Sequence, residues 1–149
     1  MSDADSDSDE RIRLAFVCVQ NAGRSQMATA FAERERDRRG LEDRVEILTG
    51  GTHPAEAVHD EVIAVMREAG IDLADRTPRE ISPAELRSCD AVATMGCSTL
   101  ELGDAATAVD IREWALPDPD GEDRARVREI RDEVDRRVVA LFDDLYPSD

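Results

Sequence analysis

Towards its end the chain places Val127, Ile130, Val134, Val138, Leu141 and Leu145 at steps of three and four, with charged residues between them. That spacing lines one face of a helix, and it predicts a long one from about Asp123 to Leu145. Upstream the pattern changes in kind. Arg11 to Val19 (RIRLAFVCV) is a short β-branched and aromatic run, the signature of a buried strand. Arg24 to Arg39 reads as a helix, with Met27, Ala28, Phe31 and Ala32 on one side and Gly40 as its stop. Val45 to Leu48 reads as a second strand, ended by Gly50 and Gly51. Ala57 to Ala69 carries Val58, Val62, Val65, Met66 and Ala69 at helical spacing, and Gly70 closes it. Pro83 to Leu86 suits a short helical turn, Ala91 to Met95 a third strand broken at Gly96, and Val109 to Trp114 a fourth, weaker strand.

Strands that alternate with helices predict a parallel sheet covered on both faces. The expected architecture is a three-layer α/β fold, a four-stranded parallel sheet flanked by helices. No repeat or linker divides the chain, so residues 11–149 read as a single domain behind a solvated, disordered acidic tail, residues 1–10.

In such a sheet, ligands bind beyond the carboxyl ends of the strands. There the sequence is richest in chemistry. The first strand ends at Cys18, and Val19-Gln20-Asn21-Ala22-Gly23 connects it to the helix that opens at Arg24. Successive backbone N–H groups of such a loop can curl around a tetrahedral anion. Asn21, the only Asn in the chain, tolerates the left-handed region, and Gly23 permits close approach. A thiolate is the reactive form of cysteine, and both a helix N-terminus and an arginine stabilise it. Ser25 is placed to donate a hydrogen bond to that thiolate, and Arg24 offers a planar fork suited to two oxygens of phosphate or arsenate. Taken singly, a buried Cys is inert packing and an Arg opening a helix is surface; together, in a strand-to-helix loop, they point to a nucleophile and its oxyanion clamp. Asp118, on a late loop, is the candidate proton donor to a leaving group.

Charge narrows the partners. The chain holds 35 acidic residues against 19 basic ones, every one of them Arg, for a net charge of −16. Such a surface repels nucleic acid and anionic membranes. Excess acid and missing Lys together fit a protein of a salt-rich cytoplasm. No apolar run approaches the ~20 residues of a membrane span. The N-terminus lacks the basic and apolar parts of a signal peptide. The expected location is the cytoplasm, with reduced thiols. His53 and His59 lack partners at ligand spacing and read as surface or capping residues. Cys89 reads as a small buried hydrophobe, Trp114 as core or pocket wall, and Arg34 to Arg39 as a solvated helix face.

The stretch CVQNAGRSQMA, with the later Asp118-Pro119, resembles the low molecular weight protein-tyrosine-phosphatase superfamily, whose signature is a Cys, five residues, then Arg-Ser. GGTHPAEAVHDEVIAVMREAGIDL and VATMGC resemble segments of its arsenate reductase branch, in the same order. The resemblance implies Cys18 as nucleophile, Arg24 as oxyanion clamp and Asp118 as general acid, then base. It implies a Cys–arsenate adduct resolved by a second thiol. Cys97 stands where the first resolving thiol is expected; the segment Ser98 to Glu101, where a third is expected, has none. The reductant is then thioredoxin or a low-molecular-weight thiol, with no bound cofactor. Thr29 stands where potassium-binding members carry an acidic ligand, so no metal site is assigned. Two further readings remain: a phosphatase acting on phosphotyrosine or a small phosphomonoester through the same Cys, Arg and Asp, and a sensor in which Cys18 and Cys97 form a reversible disulfide.

Overall fold

The computed structural model describes residues 11–96, 109–119 and 121–146. The acidic tail 1–10 and Cys97 lie outside the described residues. Strand β1 (Ile12–Cys18) leads into helix α1 (Arg24–Arg38), then β2 (Val45–Gly51), α2 (Asp60–Glu68), the short α3 (Pro83–Arg87), β3 (Ala91–Met95), β4 (Asp110–Glu113) and α4 (Arg124–Leu145). The strands form one four-stranded sheet in the order β2-β1-β3-β4, parallel at every pairing.

The alternation along β1 explains the layers. Leu14, Phe16 and Cys18 join one buried cluster, which takes in Met27 and Phe31 of α1, Val62, Val65 and Met66 of α2, and Val127, Ile130, Val134 and Val138 of α4. Ala15 and Val17 face the other way, onto Ile81, Leu86, Cys89 and Val92. Both faces of the sheet are therefore covered, but unequally: α1, α2 and α4 share one face and α3 lies on the other. Local chemistry fixes the helix ends. The Asp123 side chain accepts the Arg126 N–H at 2.9 Å to start α4, and a capping box of Ser82 and Glu85, with Pro83 behind it, starts α3.

Three expectations are corrected. Strand β2 continues past Leu48 through both glycines, because Gly50 and Gly51 pair with Val17 and Cys18. At Gly51 a Cβ would sit 2.5 Å from the Val19 carbonyl oxygen, so only glycine lets β2 end beneath the loop after β1. The second helix begins at Asp60 rather than Ala57, since the backbone before it is committed to that same loop. The Arg34 to Arg39 stretch is not simply a solvated face. Arg34 stacks over Phe31 and pairs with Asp135 of α4, and Arg39 lies over Phe142 and pairs with Asp143. The arginine stems cover apolar surface while their heads reach acids of the neighbouring helix.

Among the described residues no helix is long and apolar enough to cross a membrane. Helices α2 and α4 are tied at the surface by Glu68, which accepts from Arg128 at 2.9 Å and from Arg131 at 3.1 Å. The hydrogen bonds and charge of these guanidiniums hold the Glu68 carboxyl at about 2, below its ordinary 4.5. A carboxylate depressed in the fold stabilises it above the unfolded value and loses that contribution as pH falls through the folded one. Glu68→Gln is therefore expected to lower the thermal midpoint at neutral pH and low salt. Calorimetry should show the deficit shrinking as pH drops from about 4.5 towards about 2, and also as salt is added, because the group is exposed.

Candidate active site

The loop after β1 owes its shape to where its carbonyls go. The Cys18, Val19, Gln20 and Ala22 oxygens accept from the N–H groups of Thr52, His53, Ala55 and His59, at 3.3, 2.8, 2.9 and 3.0 Å. The Asn21 carbonyl accepts from Gln26 Nε2 at 3.1 Å. In a planar trans peptide the next N–H points opposite to the carbonyl. With these carbonyls bound to the chain behind the loop, the peptide nitrogens of residues 19–23 point the opposite way. One of them is caught in that act: Asn21 N–H donates to Cys18 Sγ at 3.2 Å. The outcome is a nest of donors at the N-terminus of α1, suited to a tetrahedral anion.

Asn21 holds the loop from within. It is the only non-glycine residue at positive φ among those described, at 51°, and it is fully buried. Its amide nitrogen donates to Ser25 Oγ at 2.7 Å and Thr49 Oγ1 at 2.9 Å. Its side-chain oxygen accepts from Gln26 Nε2 at 3.1 Å and the Arg79 N–H at 3.0 Å. Thr49 passes its own proton to the Phe16 carbonyl at 3.1 Å. Ser25 Oγ, already accepting from Asn21, lies 2.9 Å from Cys18 Sγ, so its hydroxyl proton is free to face a thiolate there.

Arg24 reaches the same place from the first turn of α1. Its Nη1 donates to the Leu116 carbonyl at 2.9 Å, and Nη2 lies 3.8 Å from Asp118 Oδ2. The Arg24 Nε is buried without a hydrogen-bond partner among the described residues. The loop bearing Asp118 is anchored to the sheet by the Trp114 N–H, which donates to the Thr94 carbonyl at 2.8 Å. Trp114 itself is core, its ring 5.9 Å from that of Phe16.

These groups surround one cavity of about 190 Å³, lined by Cys18, Val19, Gln20, Gly23, Arg24, His59, Gly96, Asp118 and Pro119. The nucleophile, clamp and acid expected from sequence are thus brought together. Gly96 and His59 carry no signal in the sequence that assigns them to the site. Gly96 marks only a strand end in the sequence; in the fold it lies so close to the Arg24 guanidinium that a Cβ there would stand 2.7 Å from it. His59, expected at the surface or as a cap, occupies the cap position of α2 without making the capping bond, and its ring faces the cavity.

Cys89 is buried at the far end of the sheet. Its thiol donates to the Glu85 carbonyl at 3.3 Å, and burial pushes its pKa up. Cys18 pairs with Met95, and Ala91 to Met95 alone spans about 13 Å at a strand's rise per residue. Cys89 is beyond disulfide reach of Cys18. Among the described residues no cluster of three His, Cys, Asp or Glu side chains is arranged to hold a metal ion.

Residues 13–148 match the family model for low molecular weight phosphotyrosine protein phosphatase. The chain belongs to that family. It is accordingly an enzyme of the low molecular weight phosphatase fold. A Halobacterium salinarum protein provisionally named an arsenate reductase is 68% identical over 142 residues, covering 95% of this chain and 99% of the relative. A glutaredoxin arsenate reductase of Synechocystis is 31% identical over 131 residues, 87% of this chain and 95% of that one. Among solved structures, an arsenate reductase in the phosphate binding state superposes with a TM-score of 0.77 at 28% identity, covering 89% of this chain and 98% of the other.

Proposed function

We propose that this enzyme reduces arsenate to arsenite through Cys18. The observation that carries the proposal is the arrangement at Cys18 Sγ: a sulfur met by the Asn21 N–H and the Ser25 hydroxyl, at the floor of a cavity that also holds Arg24 and Asp118. The family and the 68% identical relative support the same reading.

The chemistry proceeds in two steps. The Cys18 thiolate attacks arsenic, a sulfur–arsenic bond forms, and an arsenate oxygen leaves as water with a proton from Asp118. The peptide nitrogens of residues 19–23, Arg24 and Ser25 hold the remaining oxygens and steady the thiolate. A second thiolate then attacks Cys18 Sγ. A disulfide forms, the sulfur–arsenic bond breaks, and its electron pair stays on arsenic, which falls from the pentavalent to the trivalent state. Two sulfurs are each oxidised by one electron, which balances the reduction. A thioredoxin, a glutaredoxin or a low-molecular-weight thiol then restores the thiols.

Cys97 is the candidate second thiol within the chain, because it follows Gly96, a residue of the cavity wall. The cavity also favours inorganic oxyanion over phosphotyrosine, since among the described residues no Phe, Tyr or Trp lines it and an aryl ring needs an apolar wall. The acid-rich, lysine-free composition further suggests a salt-rich cytoplasm as its setting.

The test measures arsenite formation at high salt with thioredoxin or a small thiol, beside hydrolysis of an aryl phosphate. Arsenite formation by wild type, lost in Cys97→Ser, is the outcome expected for an internal relay. Arsenite formation that survives Cys97→Ser but requires a small thiol assigns the second step to that thiol. Aryl phosphate turnover with no arsenite under any reductant would overturn the proposal in favour of a phosphatase.

A further inference from the structure

His59 is the one titratable side chain of the cavity wall that the two steps above leave without a task. Its position is set by backbone. Its N–H donates to the Ala22 carbonyl at 3.0 Å, tying it to the anion loop, and its carbonyl accepts from Ile63 at 3.0 Å as α2 begins. The ring is aimed at the gap between the two halves of the site. Its Cδ2 lies 3.6 Å from the point where a Cβ on Gly23 would stand, and the same point is 2.9 Å from Cγ of Pro119, the neighbour of Asp118.

Capping does not explain a histidine here. The position before a helix favours Ser, Thr, Asp or Asn, whose side chains accept an N–H of the first turn. His59 makes no such bond, and α2 meets its dipole with Asp60 and Glu61 instead. Among the described residues the imidazole makes no hydrogen bond or ion pair, whereas the ring of His53 meets Thr52 Oγ1 at 3.3 Å. In either neutral tautomer an imidazole keeps one N–H donor, and the imidazolium has two.

We propose that His59 is a specificity-determining residue, donating to the outward oxygen of the bound oxyanion and so selecting free inorganic oxyanion over an ester. This rests on the arsenate-reductase reading and sharpens it. The peptide nitrogens and Arg24 serve oxygens directed into the cavity. The remaining oxygen faces the rim formed by His59, Asp118 and Pro119. In arsenate that oxygen is a hydroxyl or oxyanion and takes a hydrogen bond. In a phosphomonoester it carries carbon, and the organic group would lie on a polar ring and a carboxylate.

The experiment compares wild type with His59→Leu, which removes the donor, and His59→Gln, which keeps one. Inorganic phosphate affinity is measured by titration calorimetry, and steady-state kinetics are run with arsenate and with an aryl phosphate. His59→Leu is expected to weaken phosphate binding roughly tenfold, the size of one lost hydrogen bond to a charged group. It should raise the KM for arsenate more than it changes kcat, and shift the ratio of kcat/KM values towards the aryl phosphate. His59→Gln should recover most of the affinity. Unchanged affinity in both variants, or equal loss in both, would overturn the proposal. Wild type separates the two levels: if it binds phosphate but makes no arsenite, the reductase reading fails, while the variant-to-wild-type phosphate affinities still decide the role of His59.

Discussion

Cys18→Ser is expected to lower arsenite formation by at least about 10⁴-fold, the scale seen when a covalent nucleophile is removed, while oxyanion binding largely survives. The reason lies in the electrons. The two that reduce arsenic come from two sulfurs that end as a disulfide, and a serine oxygen cannot enter that bond. Binding depends on other groups. The carbonyls of residues 18, 19, 20 and 22 stay committed to the N–H groups of residues 52, 53, 55 and 59, so the loop's nitrogens still point the opposite way. A serine hydroxyl can also accept from the Asn21 N–H and share a hydrogen bond with Ser25, as the sulfur does. Arsenite assays and phosphate calorimetry on the same preparation check both halves. Arsenite production persisting in the variant would remove Cys18 from the reaction altogether.

What could be read in the sequence was what the chain does locally. The apolar run ending at Cys18, the glycine before Arg24 and the periodicity of α4 each follow from a few neighbouring residues, and they place the loop at the carboxyl edge of a parallel sheet. The types gathered in that loop suggest the proposed chemistry, because a thiol, donors and a guanidinium at that spacing fit a nucleophile beside an oxyanion. The rest of the site depends on residues distant in sequence. Thr49 supports Asn21 only because β2 lies beside β1 in a register that runs to its glycines. Arg79 contributes a backbone N–H, a group that every residue but proline carries and that therefore leaves no mark in a sequence. His59 reads in the sequence as a surface or capping residue because its place at the cavity follows from the Ala22 carbonyl, which accepts its N–H and draws the start of α2 onto the anion loop. The Arg34 to Arg39 run misled for a related reason: an arginine's stem and head obey different rules, and only the partner helix reveals which one dominates.

The same dependence on distant contacts makes Gly96→Ala a damaging small change at the oxyanion clamp. Gly96 has φ +87°, and a Cβ there would stand 2.7 Å from both Arg24 Nη1 and Nη2 and 2.9 Å from Cζ. No carbon fits so close, and the guanidinium has little room to yield. Its Nη1 is held by the Leu116 carbonyl, Asp118 lies 3.8 Å from its Nη2, and its side chain is 9% exposed. Forcing an alanine in must displace the fork. Losing one preorganised oxyanion donor costs about 10²–10³ in rate, and a loss of that order in kcat/KM for arsenate is expected, with weakened phosphate binding. Backbone strain adds a stability penalty, since alanine at positive φ costs on the order of 1 kcal/mol or more. Gly70→Ala separates the two effects. Gly70 has φ +84° but nothing within 4 Å of its would-be Cβ. It should lose comparable stability and keep phosphate affinity. If Gly96→Ala binds phosphate as tightly as Gly70→Ala does, then Gly96 does not set the position of Arg24, and the clamp is held by Leu116 and Asp118 alone.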